Sequence, residues 1–395
     1  MRDKVKMMVD EIYPQLVLFR RTLHENPELS DQEFKTVASV CQILESAKVP
    51  YQKLQTVNGV VGLISGRDQG RVVALRADMD ALPIQELNQT AYASKVKGVM
   101  HACGHDVHTT ILIGTALVLN ALKMEYNGQI KLLFQPAEET DGGAKRMIDE
   151  GCLMQPQVDV ALGLHCHPDY DTGQIGLCYD VGHGSSDMLA IKVLGTKAHG
   201  AYPEQGVDAI VIAAQLITAL QTLVSRNTSP FDPVVLSFGT ISGGDAGNVI
   251  ASSVELRGTL RTFDEQTRAF MLERIKETCE HISGALQGQA VLEITPGYIP
   301  LRNHSKVVDD VRSVATSLLG EDNVIIQKHG SLGVEDFAYF AKEVPSCFYN
   351  LGVRNVEKGI VSGLHSDTFD VDEESIRIGV TLQVLATLQQ LGVTL

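Results

Sequence analysis

Apolar residues recur along this chain in two rhythms, and their alternation predicts the fold. Short continuous runs, VVGLIS (60–65), RVVALRAD (71–78), QIKLLFQ (129–135) and VDVALGLH (158–165), read as strands covered on both faces. Helical spacing marks a segment from about Lys4 to His24, which Pro14 is expected to kink or divide. A second helix is expected to begin at Ser30, where Ser-Asp-Gln-Glu has the spacing of a capping box. Further helices are expected from about His105 to Leu122 and near Ala144. Strands alternating with helices in this way predict an α/β fold with a mainly parallel sheet covered by helices.

From about Ser185 to Gly297 the rhythm changes. MLAIKVLG reads as a strand, Gly206 to Arg226 as a helix, and PVVLSFGTIS and VIASSVELRGTLRTF as two strands. A helix from Glu265 to Leu286 and the strand QAVLEITPG follow. This β-α-β-β-α-β order is that of a ferredoxin-like α+β sandwich. The earlier alternation then resumes, with a helix near Val307 to Leu318, strands NVIIQ and CFYNLG, a helix near Glu335 to Phe340 between them, and a last helix from about Glu374. The expected organisation is a larger domain in two parts, 1–184 and 298–395, with a smaller domain, 185–297, inserted.

A length of 395 residues suits two domains, and 44% hydrophobic with 21% charged residues is a globular composition. The net charge of −15 excludes a broad nucleic-acid or anionic-membrane surface, which needs clustered Lys and Arg. No signal peptide is expected from the charge-interrupted start, and the apolar run Val207 to Val224 is broken by Asp208, Gln215 and Gln221, which suits a packed helix rather than a membrane span. A cytoplasmic protein is expected. Seven cysteines, an odd number thinly spread, do not make a disulfide framework.

Polar clusters fall at or just after the ends of the predicted strands, where open α/β sheets gather their functional groups: RADMDALP (76–83), HACGHDVH (101–108), QPAEE (135–139) and LGLHCHP (162–168). GLHSD (363–367) lies between the last strand and the last helix. Cys103 and His105 offer a thiolate and an imidazole two residues apart, both good ligands for zinc or its first-row neighbours. A buried cysteine beside an unrelated histidine, or a Cys103 nucleophile, would read the same locally. Downstream carboxylates favour a metal. Glu138 and Glu139 repel one another unless a cation or proton separates them, so one is expected to ligate while the other carries a proton. His165 and His365 read either as satisfied histidines or as ligands. Cys103, His105, Glu139, His165 and His365 together exceed what one tetrahedral ion needs and suit two ions sharing a bridging ligand. His-Glu-x-x-His, Gly-x-Ser-x-Gly and Gly-x-x-x-x-Gly-Lys are all missing.

Over nearly its full length the chain resembles the amidohydrolase branch of the dinuclear metallopeptidase/aminoacylase family. That branch includes N-acyl-amino-acid deacylases, N-acetyldiaminopimelate deacetylases, hippurate hydrolases and auxin-conjugate hydrolases. RRTLHENPELSDQE, LRADMDALPIQE, MHACGHDVHTT, FQPAEETDGGA, KAHGAYPEQGVDAI, GNVIASSVELRGTLRTF, GVEDFAYF and LHSDTFD carry the resemblance, in that order. It implies two divalent ions (Zn, Mn, Co or Ni) on Cys103, His105, Glu139, His165 and His365, with Glu138 as general base and Asp78 as an acidic residue behind the ligands. Peptidase branches usually bridge their ions with an aspartate where this chain has Cys103, and a thiolate changes which metal is favoured. The inserted domain resembles the family's lid or dimerisation domain. There His199 matches a histidine that reaches into the partner subunit's site and steadies the oxyanion, and Asn248 and Arg261 match positions that meet a substrate carboxylate. An ordinary strand-end salt bridge would explain Arg261 equally well.

These readings predict hydrolysis of a small N-acyl, above all N-acetyl, amino acid to a carboxylic acid and a free amino acid. The expected assembly is a homodimer or a higher homo-oligomer. A metallo-dipeptidase or carboxypeptidase is the nearest alternative, and a binding protein on a hydrolase scaffold a more distant one.

Overall fold

The structure is a computed structural model describing all 395 residues. Two compact units emerge: Met1–Gly182 with Arg302–His329 and Asp336–Leu395, and His183–Leu301 with Gly330–Glu335. The short Gly330–Glu335 segment carries no pattern that would assign it to the second unit from sequence.

In the first unit an eight-stranded sheet runs in the order Tyr51–Lys53, Val60–Ser65, Gln129–Gln135, Val72–Asp78, Val160–Asp171, Ser346–Arg354, Ile175–Leu177, Val324–Ile326. Its four central strands pair in parallel, while antiparallel pairing is confined to the flanks. All seven residues of Val72–Asp78 are buried, as a strand covered on both faces requires. Because 129–135, 72–78 and 160–171 are neighbours, their polar carboxyl-terminal flanks arrive side by side.

The helix His105–Ala121 lies in the middle of this unit and is buried nearly all round, so it has no polar face. Gly114 makes that packing feasible: a Cβ there would come within 2.7 Å of Leu16 and 2.8 Å of Val380, on the helices Arg2–Glu25 and Glu374–Gln390. Arg2–Glu25 runs unbroken through Pro14, so the predicted division does not occur.

The capping box predicted at Ser30 does not form either, and the second helix starts at Phe34. The Glu28 carboxylate takes the Lys35 and Thr36 amides there at 2.9–3.0 Å. Ser30 and Glu33 are drawn to more distant partners described below. VDVALGLH also extends further than its apolar run, to Asp171, because the 346–354 strand pairs with it beyond His165.

An ionic cluster ties the first helix to both ends of the chain's fold. Arg20 is fully buried and donates from Nε to Asp106 at 2.8 Å and from a terminal nitrogen to Asp370 at 3.3 Å. Asp106 also meets His24 Nδ1 at 2.8 Å. Burial alone would raise the Asp106 carboxyl, but Arg20 and His24 overcome it and hold it far below the usual carboxylate range. Its stabilisation is therefore complete above the unfolded value near ~3.9 and is lost as pH falls. Asp106→Asn is expected to lose about 3 kcal/mol at pH 7, with the gap from wild type narrowing as pH falls from about 4 to 2. Urea unfolding at both pH values checks this; a gap that does not change with pH would remove the charge-pairing account.

The second unit is a four-stranded antiparallel sheet, order Gln289–Pro296, Ser185–Leu194, Ser253–Thr262, Val234–Gly243, with helices Ala209–Thr222 and Glu265–Ala285. Numbered by chain order its strands run 4-1-3-2, the ferredoxin-like arrangement expected from sequence. Ile212, Leu216 and Leu220 of the apolar helix are buried in this unit's own core, as in a packed helix.

Candidate metal centre

Four segments of the first unit build the site. Gly104 separates Cys103 from His105 with φ +85° and caps the helix His105–Ala121; a Cβ there would lie 3.0 Å from Cys166. Only glycine meets both demands without strain. The turn after 129–135 supplies Glu138 and Glu139, the 160–171 strand supplies His165, and the loop before the last helix supplies His365. The His365 amide donates to the Ala102 carbonyl at 2.8 Å, fixing that loop to the Cys103 segment.

Cys103, His105 and His165 place one ligating atom each within 4.8 Å of one another, and so do Cys103, Glu139 and His365. Cys103 is common to both groups. Its Sγ lies 3.4 Å from His165 Nε2, and His365 Nε2 lies 3.3 Å from Glu139 Oε1. Glu138 joins His105 and Glu139 in a third such group. All five side chains read as ligands, together with Glu138, thus fall in one cluster.

Hydrogen bonds at the far side of two of these rings, His165 and His105, orient them. His165 donates from Nδ1 to the Cys166 carbonyl at 2.7 Å, which leaves Nε2 with its lone pair towards Cys103. His105 donates from Nδ1 to Asp80 Oδ1 at 3.2 Å, and its buried Nε2 has no hydrogen-bond partner. A buried imidazole nitrogen left open beside a thiol and a carboxylate is the arrangement a metal cation satisfies. The donor set of one sulfur, three imidazole nitrogens and a carboxylate suits zinc and its first-row neighbours. These residues therefore fit a pair of divalent ions. Burial, and then Glu139, push the Cys103 thiol well above its usual value, the opposite of what a thiolate nucleophile needs.

His108 is different. It accepts the Cys166 amide at Nε2 (2.8 Å) and donates from Nδ1 to Asp78 at 2.6 Å, so both nitrogens are occupied. Burial lowers it to about 4, and it stays neutral. Asp78 also pairs with the buried Arg76 at 2.7 Å and lies 3.6 Å from His105 Nε2. Arg76 reaches Asp336 as well, at 2.8 Å, and Asp336 takes the Gln135 amide and the Ala144 N–H. This charged floor keeps the strand ends in place beneath the ligands.

Asp80 escaped sequence reasoning, although it sits in the same RADMDALP cluster as Asp78. It accepts the amides of Glu138 (3.1 Å) and Glu139 (3.0 Å), the Ser30 hydroxyl (2.7 Å) and His105 Nδ1. One carboxylate thereby sets the tautomer of a ligand and the turn that carries both glutamates. The proline three residues on and the repeat of Asp at every second position were the only local signals. Glu33 was also missed as a site residue. Fully buried, it takes the Ala137 amide at 2.9 Å, and burial raises it to about 7. Ala137 has φ +55°, a left-handed state that costs a non-glycine residue about 1–2 kcal/mol.

The remaining sequence candidates lie in the second unit. His199 is exposed and bridges to Val249, and Gly200 donates to the Asn248 carbonyl at 2.7 Å, so these two segments are adjacent. Arg261 stands apart from them on Ser253–Thr262, in register with Ser186 and Val235.

Comparison with known proteins gives the same chemistry. The profile of Peptidase family M20/M25/M40 matches residues 74–389. The N-acetyl-L-cysteine deacetylase of Bacillus subtilis is 39% identical over 92% of this chain and 85% of its own. An N-acyl-L-amino acid amidohydrolase of Geobacillus stearothermophilus is 41% identical over 77% of this chain and 82% of its own. Among solved structures, a dinuclear metal-binding peptidase of the M20 family from Bacillus subtilis superposes with a TM-score of 0.85 at 32% identity, covering 98% of this chain and all of the other.

Proposed function

Because the chain belongs to peptidase family M20/M25/M40, and is with it a metal-dependent hydrolase, we propose that its substrates are N-acyl amino acids. The observation that carries the reading is the cluster in which Cys103 serves both ligand groups with Glu138 beside them. Cys103, His105, Glu139, His165 and His365 are the residues that would hold the two ions. When bound, the ions supply Lewis acidity, polarising the scissile carbonyl and making water acidic enough to ionise near neutral pH.

The chain's residues do the rest. Glu138 accepts a proton from the attacking water and delivers it to the amine nitrogen as the C–N bond breaks. Asp78 steadies the charged floor through Arg76 and His108. The family resemblance supports His199 as a donor to the developing oxyanion, and Asn248 and Arg261 as holders of the substrate carboxylate. We further propose a homodimer working in the cytoplasm with Zn, Mn, Co or Ni.

A hydrolysis screen tests this. N-acetyl and N-benzoyl amino acids and unmodified dipeptides are compared with each metal in turn. The N-acyl compounds are expected to give a kcat/KM at least about tenfold above that of the dipeptides. The reverse order would make the chain a dipeptidase, and metal binding without any turnover would make it a binding protein.

A further inference from the structure

We propose that Glu33 is a positioning residue for the reaction, a clamp that holds the 137–139 turn so that Glu138 stays aimed at the metal cluster. The proposal rests on Glu138 being the proton carrier.

Three successive amides of that turn, those of Ala137, Glu138 and Glu139, all donate to side-chain carboxylates. Asp80 receives the second and third and also holds His105, so it serves the ligands directly. Glu33 alone receives the first, at the residue whose backbone is left-handed. A turn in that state relaxes unless its surroundings over-determine it, and the residue that would swing with it is Glu138.

The rest of the Glu33 environment points the same way. Its carboxylate takes the Asp31 amide at 3.0 Å on the oxygen that holds Ala137, and Asn58 Nδ2 at 3.3 Å on the other. No ion pair is formed with a cation; its own amide and these N–H groups offset its burial. Its position at the start of a helix does not explain it, since Glu28 does the capping and Glu33 gives no side-chain cap bond. Its partner at Ala137 is instead 104 positions away in sequence.

The test compares Glu33→Ala, Glu33→Gln and Glu138→Ala in the metal-loaded protein. Glu33→Ala is expected to lower kcat about 30-fold or more, with KM within about threefold and metal content unchanged. Amide hydrogen exchange in the peptide covering 135–142 should quicken at least about tenfold. Glu33→Gln keeps an acceptor oxygen and should restore both quantities to within about threefold of wild type. Should Glu33→Ala not fold, Glu33→Asp, with its carboxylate drawn back by one carbon, carries the same two measurements. The clamp is overturned if kcat stays within about threefold of wild type, if Glu33→Gln is as slow as Glu33→Ala, or if exchange is unchanged. Full turnover by Glu138→Ala would instead overturn the catalytic reading, while the exchange measurement still decides whether Glu33 holds the turn.

Discussion

Glu138→Ala is expected to lower kcat by about 10³- to 10⁴-fold while leaving the metal content of the protein unchanged. The size follows from what is removed. Without the carboxylate, no group in the His105–Glu138–Glu139 cluster is free of a ligand role and able to carry a proton from water to the leaving amine. The retained metal follows from the proposed division of labour between neighbours, with Glu139 as the ligand and Glu138 as the proton carrier. Metal analysis beside steady-state kinetics checks both halves. An active variant would reject Glu138 as the base, and an inactive variant stripped of metal would make it a ligand.

Cys103→Ala should have the opposite signature. Cys103 belongs to both candidate groups, so on the proposed reading its loss weakens the hold on both ions at once. Even an outer partner of a ligand is worth about 10- to 100-fold in metal affinity, so removal of the shared ligand is expected to exceed about 100-fold. Dialysis against a chelator, followed by metal analysis, should leave the variant nearly metal-free under conditions where the wild type keeps its ions. The substitution deletes a single buried sulfur atom, so thermal unfolding of the two metal-free proteins should differ only slightly. A variant that is inactive yet fully metal-loaded would return Cys103 to the nucleophile reading.

The two glutamates and the shared cysteine were legible in the sequence for one reason. A polar cluster directly after a continuous apolar run has few explanations other than a site at a strand end. FQPAEE and HACGHD stand out on that ground, and His165 and His365 gained meaning only beside them. The central strands of the first unit were legible too, because burial on both faces writes itself as an uninterrupted apolar run, whereas Ser185–Leu194 and Ser253–Thr262 of the second unit bury alternate residues. What failed depended on partners far away in sequence. Ser30 and Glu33 have the spacing of a local cap, but a buried aspartate at Asp80 and a strained amide at Ala137 compete for them and win. Pro14 shows the converse, a local breaker overruled by the packing of a long helix whose Val5, Val9 and Leu16 are buried. Asp80 and Asp78 could not be ranked from sequence, since only the fold decides which of two alternate aspartates faces His105 and which faces Arg76.

Arg20 has a consequence for how the protein is made. Its partner Asp370 is 350 positions further along the chain, and the loop that carries His365 ends there. At synthesis rates of about 5–20 residues per second, the first helix leaves the ribosome roughly 20–70 s before that partner exists. Until then a guanidinium destined for the interior has only part of its counter-charge, and the Cys103–Glu139–His365 group lacks a member. Docking of the first helix and completion of the metal centre therefore belong to the same late moment. A chain stalled before residue 365 would present an unfinished core and an incomplete ligand set together, which makes metal loading a marker of a finished chain.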